Sequence, residues 1–231
     1  DCWTLTMLSP LDEGAWAVRP DAPGDCESLL EEVGRVPLTH YIRGGHMNPA
    51  DREQYQTVYA KHPGSVAAPT AGLHFTSALL KELTDHGVNI CRVTLHVGIG
   101  TFRPIKTQTL AEHQMHSEYG VVEESAVETI QQTQLSGGRV IAVGTTTVRL
   151  LESAAAGGEV AAWSGETDLF IRPPYQFKAI QGLVTNFHLP KSSLLVLVRT
   201  FGGDSLLRRA YQEAIEQQYR FYSYGDAMLI L

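Results

Sequence analysis

The stretch RVIAVGTTTVRLLES, residues 139 to 153, constrains this fold most. A short, almost wholly apolar run ends at Gly144 and passes at once into a helical pattern. Apolar runs of this kind are typical of strands covered on both faces, and such strands belong to sheets flanked by helices. The same order recurs downstream. GLVTNF (182–187) is strand-like and leads through Pro190 into the helical runs SSLLVLVRTFGG (192–203) and DSLLRRAYQEAIEQQY (204–219). A last strand is expected over DAMLIL (226–231). Upstream, EYGVV (118–122) precedes the helical EESAVETIQQTQLSGG (123–138). Strands alternating with helices predict an α/β fold with a largely parallel sheet.

Further expectations follow from local signals. DCESLLEEVG (25–34) reads as a short helix capped by Asp25 and stopped at Gly34. TSALLKELTDHG (76–87) reads as a helix capped at Thr76 or Ser77, with a stripe of leucines at 79, 80 and 83. VNICRVTLHV (88–97) and TDLFI (167–171) read as strands. CWTLTML and GAWAVRP, on either side of SPLDEG, read as a β-hairpin outside the βα rhythm. The chain opens on this strand without an initiator Met, so an earlier stretch is expected to be missing. Residues 35–75 form a long connection rich in Pro and Gly; its aromatic residues point to a packed, functional loop.

Composition narrows the function. There are 231 residues with a formal net charge of −7. Non-specific coating of nucleic acid takes a basic surface, so any nucleic-acid contact must be local. Three cysteines without a CxxC pair fit neither a disulfide framework nor a cysteine zinc site, and a reducing cytoplasm is expected. No apolar run is long enough to predict a membrane span.

Several segments carry chemistry. The turn at Gly144, Thr145 and Thr146, with Arg149 in the first turn, suits an anion, because helix N-termini present unpaired N–H groups; Thr145 as a simple cap is the alternative. His74 in APTAGLHF and His96 in TLHVGIGTF each lie between apolar neighbours, with Thr70, Gly72, Gly98, Gly100 and Thr101 around them. A hydrogen-bonded core role competes with proton transfer for both. In EHQMHSE, His116 and Glu118, with His113, could form a metal half-site, an acid–base pair or a surface cluster. Asn186, Phe187 and His188 fall just past a strand end. The segment YRFYSYGDAMLI places Tyr222, Tyr224 and Asp226 among further aromatics, either as a core edge or as a base-stacking surface. Lys191, Arg199, Arg208, Arg209 and Arg220 could add a local phosphate track.

Six of these segments, GSVAAPTAGLHF, TLHVGIGTFRP, HQMHSEY, RVIAVGTTTVRLLES, LVTNFHLPKSSLL and YRFYSYGDAMLI, occur in one order. That order resembles the S-adenosylmethionine:tRNA ribosyltransferase-isomerase family of queuosine biosynthesis, from about residue 37 to residue 230. The resemblance implies a Rossmann-like, mostly parallel sheet flanked by helices and interrupted by a small β-barrel. Residues 1–24 would be a partial barrel, with most of it and the first part of the α/β domain missing, and residues 25–231 the α/β catalytic domain. It implies transfer of the ribosyl part of S-adenosylmethionine to 7-aminomethyl-7-deazaguanine at the wobble position of a tRNA anticodon. Epoxyqueuosine-tRNA forms, and adenine and methionine are released. S-adenosylmethionine would be a co-substrate, no metal would be required, and the protein would be a cytoplasmic monomer.

Chemistry assigns roles within that frame. His74, His96 and His116 are the proton-transfer candidates, flanking apolar residues favouring a neutral imidazole, and Glu118 would orient a histidine. Gly144, Thr145, Thr146 and Arg149 would hold the methionine carboxylate or a phosphate. Asn186 and His188 would meet adenine or the deazaguanine, and Asp226 the aminomethyl group or a ribose hydroxyl. Phe187, Tyr222 and Tyr224 would stack on a base. The rival readings are a metal-dependent hydrolase using the His/Glu cluster and a non-catalytic RNA-binding module.

Overall fold

The computed structural model describes residues 4–11, 14–21, 24–98 and 105–231. The chain divides into two compact units, Asp1–Met47 and Asn48–Leu231.

The first unit holds the expected hairpin. Strands β1 (Leu5–Pro10) and β2 (Trp16–Pro20) pair antiparallel, with a register shift between Met7 and Ser9. Helix α1 (Cys26–Val33) starts where Asp25 accepts from the Ser28 N–H at 2.9 Å. It ends where the Gly34 N–H reaches the Leu30 carbonyl at 2.8 Å. Both ends follow the local capping signals.

The second unit is a mixed α/β structure built around one helix. In chain order it contains α2 (Asp51–Gln54), a 3-10 turn (Thr70–His74), α3 (Ser77–Asp85), β3 (Thr94–His96) and β4 (Glu118–Val122). Then come α4 (Glu124–Leu135), β5 (Ile141–Val143), α5 (Thr145–Ala154), β6 (Trp163–Thr167) and β7 (Gly182–Asn186). Helices α6 (Ser193–Gly202) and α7 (Asp204–Glu216) lead to β8 (Ala227–Ile230). Strands β3, β4 and β6 form an antiparallel sheet, and β5, β7 and β8 form a mixed one. Helix α5 packs against strands of both. Its Val148, Leu150 and Leu151 are buried in a core that also takes in Val122, Ile130, Ile171, Leu183 and Val198. Among the described residues no helix is long and apolar enough to cross a membrane.

Several expectations need correction. The largely parallel sheet reduces, among the described residues, to the one parallel pair β5/β7. Strand β8 runs antiparallel to β7. Two helices, α6 and α7, intervene, and β8 starts at the end where β7 finished, Ala227 pairing with Asn186. The strand expected at 167–171 ends at Thr167 and begins at Trp163. Past Thr167 the backbone leaves the ladder, and the Leu169 carbonyl faces Arg149 instead. Within 88–97, regular pairing covers Thr94–His96. Helix α3 forms with Thr76 as its cap, but it has no buried residue, so its leucine stripe does not mark a core face. On a helix His113 and His116, three residues apart, would share a face; instead the first ends a 3-10 turn (Leu110–Glu112) and the second precedes β4.

Candidate functional site

One end of the β5–β7–β8 sheet gathers most of the candidate residues. In open α/β sheets, the ends where parallel strands finish are where ligands settle. Strand β5 leaves the sheet at Gly144, whose φ of 91° and ψ of 144° favour glycine over any residue with a side chain. Its N–H still donates to the Val184 carbonyl of β7 at 2.8 Å, and α5 begins at the next residue. Thr145 is buried and Thr146 half-buried. Thr147 turns its hydroxyl back onto the Val143 carbonyl at 2.7 Å.

Ala71 of the 3-10 turn packs against this glycine. The turn thereby brings Thr70 and His74 to the end of β7. The Thr70 hydroxyl donates to Asn186 Oδ1 at 3.0 Å, and Asn186 Nδ2 lies 3.3 Å from His74 Nε2. Asn186 is buried, whereas His74 is exposed despite its apolar neighbours Leu73 and Phe75. The apolar neighbours therefore do not bury this ring as expected.

Asn186 is in register with Ala227, which puts Asp226 at the same end of the sheet. Asp226 Oδ1 accepts from Arg220 Nη2 and Oδ2 from the Arg220 N–H, both at 2.7 Å. The Arg220 hydrogen bonds, side chain before backbone, hold the Asp226 carboxyl below the usual range, and His74 adds a smaller electrostatic pull. The carboxylate is thus anionic and shares a site with the His74 ring. Two residues that sequence reasoning missed, Thr57 and Tyr59, flank Gly72, the Tyr59 hydroxyl lying directly over it. Burial raises the Tyr59 pKa, with Arg92 opposing. Both lie in the non-periodic connection before the turn, where no local pattern marks them.

The other candidates lie elsewhere. His96 faces Gly64, where a Cβ would fall 2.7 Å from Nδ1, and its ring stacks on Tyr119 at 6.3 Å and 23°. Gly98 is exposed, while Gly100 and Thr101 lie outside the described residues. Arg149 has a different employment from the anion binding expected of it. It is buried and forms an ion pair with Glu118. Its Nε donates to the Leu169 carbonyl at 3.1 Å, and its Nη2 to the carbonyls of Thr167 at 3.2 Å and His116 at 3.5 Å. A guanidinium spent on these acceptors ties α5 to β4 and β6. Glu118 accordingly faces an arginine, where it was expected to orient a histidine. The His113 ring meets Phe170 edge-on at 5.1 Å, and burial, with His116 nearby, lowers its pKa.

The aromatic C-terminal segment is largely a core edge. Phe187 is buried against the rings of Tyr211, Tyr219 and Phe221, so it cannot offer a face to a base. The Tyr224 hydroxyl donates to buried Asp51 Oδ1 at 2.8 Å, and its ring meets Tyr55 edge-on. Tyr222, at φ 74°, donates its N–H to the Phe187 carbonyl at 3.0 Å. The expected phosphate track is also engaged internally: Arg199 and Arg208 both pair with Asp204, and Arg220 with Asp226.

His188 is a structural residue too. Its Nε2 is 2.7 Å from the Thr185 hydroxyl, and its N–H donates to the Tyr211 hydroxyl at 2.8 Å. Burial pushes its pKa from 6.5 down to about 4. As pH falls below 6.5 the unfolded chain takes up this proton first, and the folded protein follows only near pH 4. This share of stability is therefore complete above pH 6.5 and is lost as pH falls towards 4, by up to about 3 kcal/mol. Urea midpoints at pH 7 and 4.5 test this: His188→Gln should lack that part of the acid loss.

Of the side chains that a metal-dependent hydrolase would pool, His74 meets Asn186, His96 meets Tyr119 and Glu118 meets Arg149. What gathers at the sheet end is a hydrogen-bonded imidazole, a carboxylate and a glycine-to-helix turn, a set suited to binding a small polar ligand and moving protons.

Comparison with known proteins agrees with the motif order. The family model described as "Queuosine biosynthesis protein" matches residues 3–230. An S-adenosylmethionine:tRNA ribosyltransferase-isomerase from Acaryochloris marina is 57% identical over 205 residues, covering 89% of this chain and 55% of the relative. Another of the same name, from Carboxydothermus hydrogenoformans, is 53% identical over 208 residues, covering 90% of this chain and 61% of the relative. The chain thus spans somewhat more than half the length of the curated relatives it matches. A crystal structure of an S-adenosylmethionine tRNA ribosyltransferase from Thermotoga maritima aligns with a TM-score of 0.59 at 46% identity, over 70% of this chain and 51% of that one. With all but three of its residues inside the family model, the chain belongs to the queuosine biosynthesis protein family.

Proposed function

We propose that the protein is an S-adenosylmethionine:tRNA ribosyltransferase-isomerase. It moves the ribosyl part of S-adenosylmethionine onto the aminomethyl group of 7-aminomethyl-7-deazaguanine at the tRNA wobble position and isomerises it. Epoxyqueuosine-tRNA, adenine and methionine result. The observation that carries this reading is the family match over residues 3–230, joined to the name its relatives share.

The reaction needs a base for the C5′ proton beside the sulfonium, an acid for departing adenine, and a binding site for the attacking amine. His74, His96 and His116 are the imidazoles offered for these steps, His74 from the sheet end. Gly72, Gly144, Thr145, Thr146, Asn186 and Asp226 form the ligand site at the sheet end, with Asp226 placed for the cationic amine or a ribose hydroxyl. Thr70 supports Asn186, and Gly98, Gly100 and Thr101, which follow His96 in the sequence, are further candidates for ligand contact. Tyr222 sits at the edge where the anticodon nucleotide enters. Arg149 with Glu118, Phe187, His188 and Tyr224 hold this arrangement from behind. The sulfonium carries the electrophilic activation, so the chemistry calls for no metal. The β5/β7 pair is the seed of a Rossmann-like sheet, residues 1–24 belong to a small β-barrel, and residues 25–231 form the catalytic domain. The protein works as a monomer in the cytoplasm, where its tRNA substrate is.

Adenine release from S-adenosylmethionine tests the reading. Release should depend on tRNA carrying 7-aminomethyl-7-deazaguanine. Binding of that tRNA with no adenine released would favour an RNA-binding module instead.

A further inference from the structure

The exposed imidazole at the end of β7 is fixed from one side. Asn186 is only 2% exposed, and both ends of its amide are in use. An amide oxygen only accepts and an amide nitrogen only donates. With Oδ1 taken by the Thr70 hydroxyl at 3.0 Å, Nδ2 is the atom that faces the ring, at 3.3 Å from Nε2. Nε2 must then accept, and the single proton of the neutral ring sits on Nδ1. The reverse amide orientation would put Oδ1 against the ring and demand a proton on Nε2, so the tautomer reports the orientation.

We propose that Thr70 and Asn186 are positioning residues that hold His74 as its Nδ1–H tautomer, so that the ring meets the ligand as a hydrogen-bond donor. A proton accepted at Nε2 would set two donors against each other and cost the Asn186 hydrogen bond. The base must therefore be another group, and so must the acid that protonates adenine, because a neutral imidazole that gave up its Nδ1 proton would be left as an imidazolate; His74 keeps that proton and serves as a fixed hydrogen-bond donor. The atom it serves is an acceptor, a carboxylate oxygen or an aromatic ring nitrogen. The neighbouring Asp226 carboxylate, held by Arg220, is an acceptor itself and handles the opposite polarity. The choice of donor over base rests on His74 lining the ligand site as proposed above; the tautomer itself does not.

Long-range proton–nitrogen correlation spectra of the ¹⁵N-labelled, ligand-free chain test the assignment at a pH where the ring is neutral. His74→Gln identifies the His74 signals by their loss. In the wild type, Nε2 should show a pyridine-type shift and Nδ1 a pyrrole-type shift. Asn186→Asp offers only acceptors, so the two shift types should exchange places. Thr70→Val frees the amide, so the two shifts should move towards the averaged values of a free histidine. Should Asn186→Asp fail to fold, Thr70→Val carries the comparison alone. A wild-type ring protonated on Nε2, averaged wild-type shifts, or a tautomer unmoved by the folded variants would overturn the proposal. These spectra need no turnover. Loss of the expected tautomer with adenine release intact sinks this inference alone. An intact tautomer with no adenine release sinks the functional reading instead.

Discussion

Replacing Arg149 by methionine is expected to remove about 3–5 kcal/mol of stability, the range for breaking one side of a buried ion pair. The two partners are almost wholly shielded, with side-chain exposures of 4% and 2%. The pair itself is not the source of so large an effect, because taking two charges out of water offsets most of their attraction. The cost comes from what the substitution leaves behind: a buried Glu118 carboxylate without its guanidinium, and the Thr167 and Leu169 carbonyls without their donor. Adding Glu118→Leu to Arg149→Met should restore much of the loss, although the two carbonyls remain unserved. Urea unfolding at an unchanged m-value measures both variants. A single variant that loses less than about 1 kcal/mol would mean that this pair faces solvent, as exposed pairs contribute no more.

His74→Ala should show the opposite profile. The ring is exposed, so stability should fall by only about 1 kcal/mol, the share of its hydrogen bond to Asn186. Adenine release should slow by roughly 10²- to 10³-fold, the usual contribution of a fixed hydrogen-bond donor to developing charge. S-adenosylmethionine affinity should change far less, because an interaction strengthened in the transition state appears in the rate. His96→Ala is the natural comparison. That ring is packed on Gly64 and Tyr119, so equal losses in rate and affinity would mark it as a binding or folding residue. Equal losses for His74→Ala would say the same of His74.

How much of this could be read beforehand depends on how far each signal reaches. The caps at Asp25 and Thr76 were legible because donor and acceptor lie three residues apart. The β5–Gly144–α5 passage was legible because an apolar run, a glycine and a helical stripe are neighbours in sequence. The fate of Arg149 was not, since its partners lie 18 to 33 residues away, in or next to β4 and β6. His74 misled for a related reason. Side chains in a 3-10 turn point about 120° apart, so buried company on either side says little about the residue between. Phe187 and the tyrosines after it were equally compatible with a stacking surface and a core edge, and only the packing of Tyr211 and Phe221 on Phe187 separates them. Both helices before β8 were legible, but the direction of β8 was not, because it is fixed by pairing with β7 some forty residues earlier.

A crystal structure of the protein with S-adenosylmethionine bound is the most direct test of the site. The account predicts the ligand at the end of β5 and β7, with His74 Nδ1 and the Asp226 carboxylate both touching it and Gly144 against its edge. Ligand bound instead beside His96 and Tyr119, with His74 turned to open water, would contradict it.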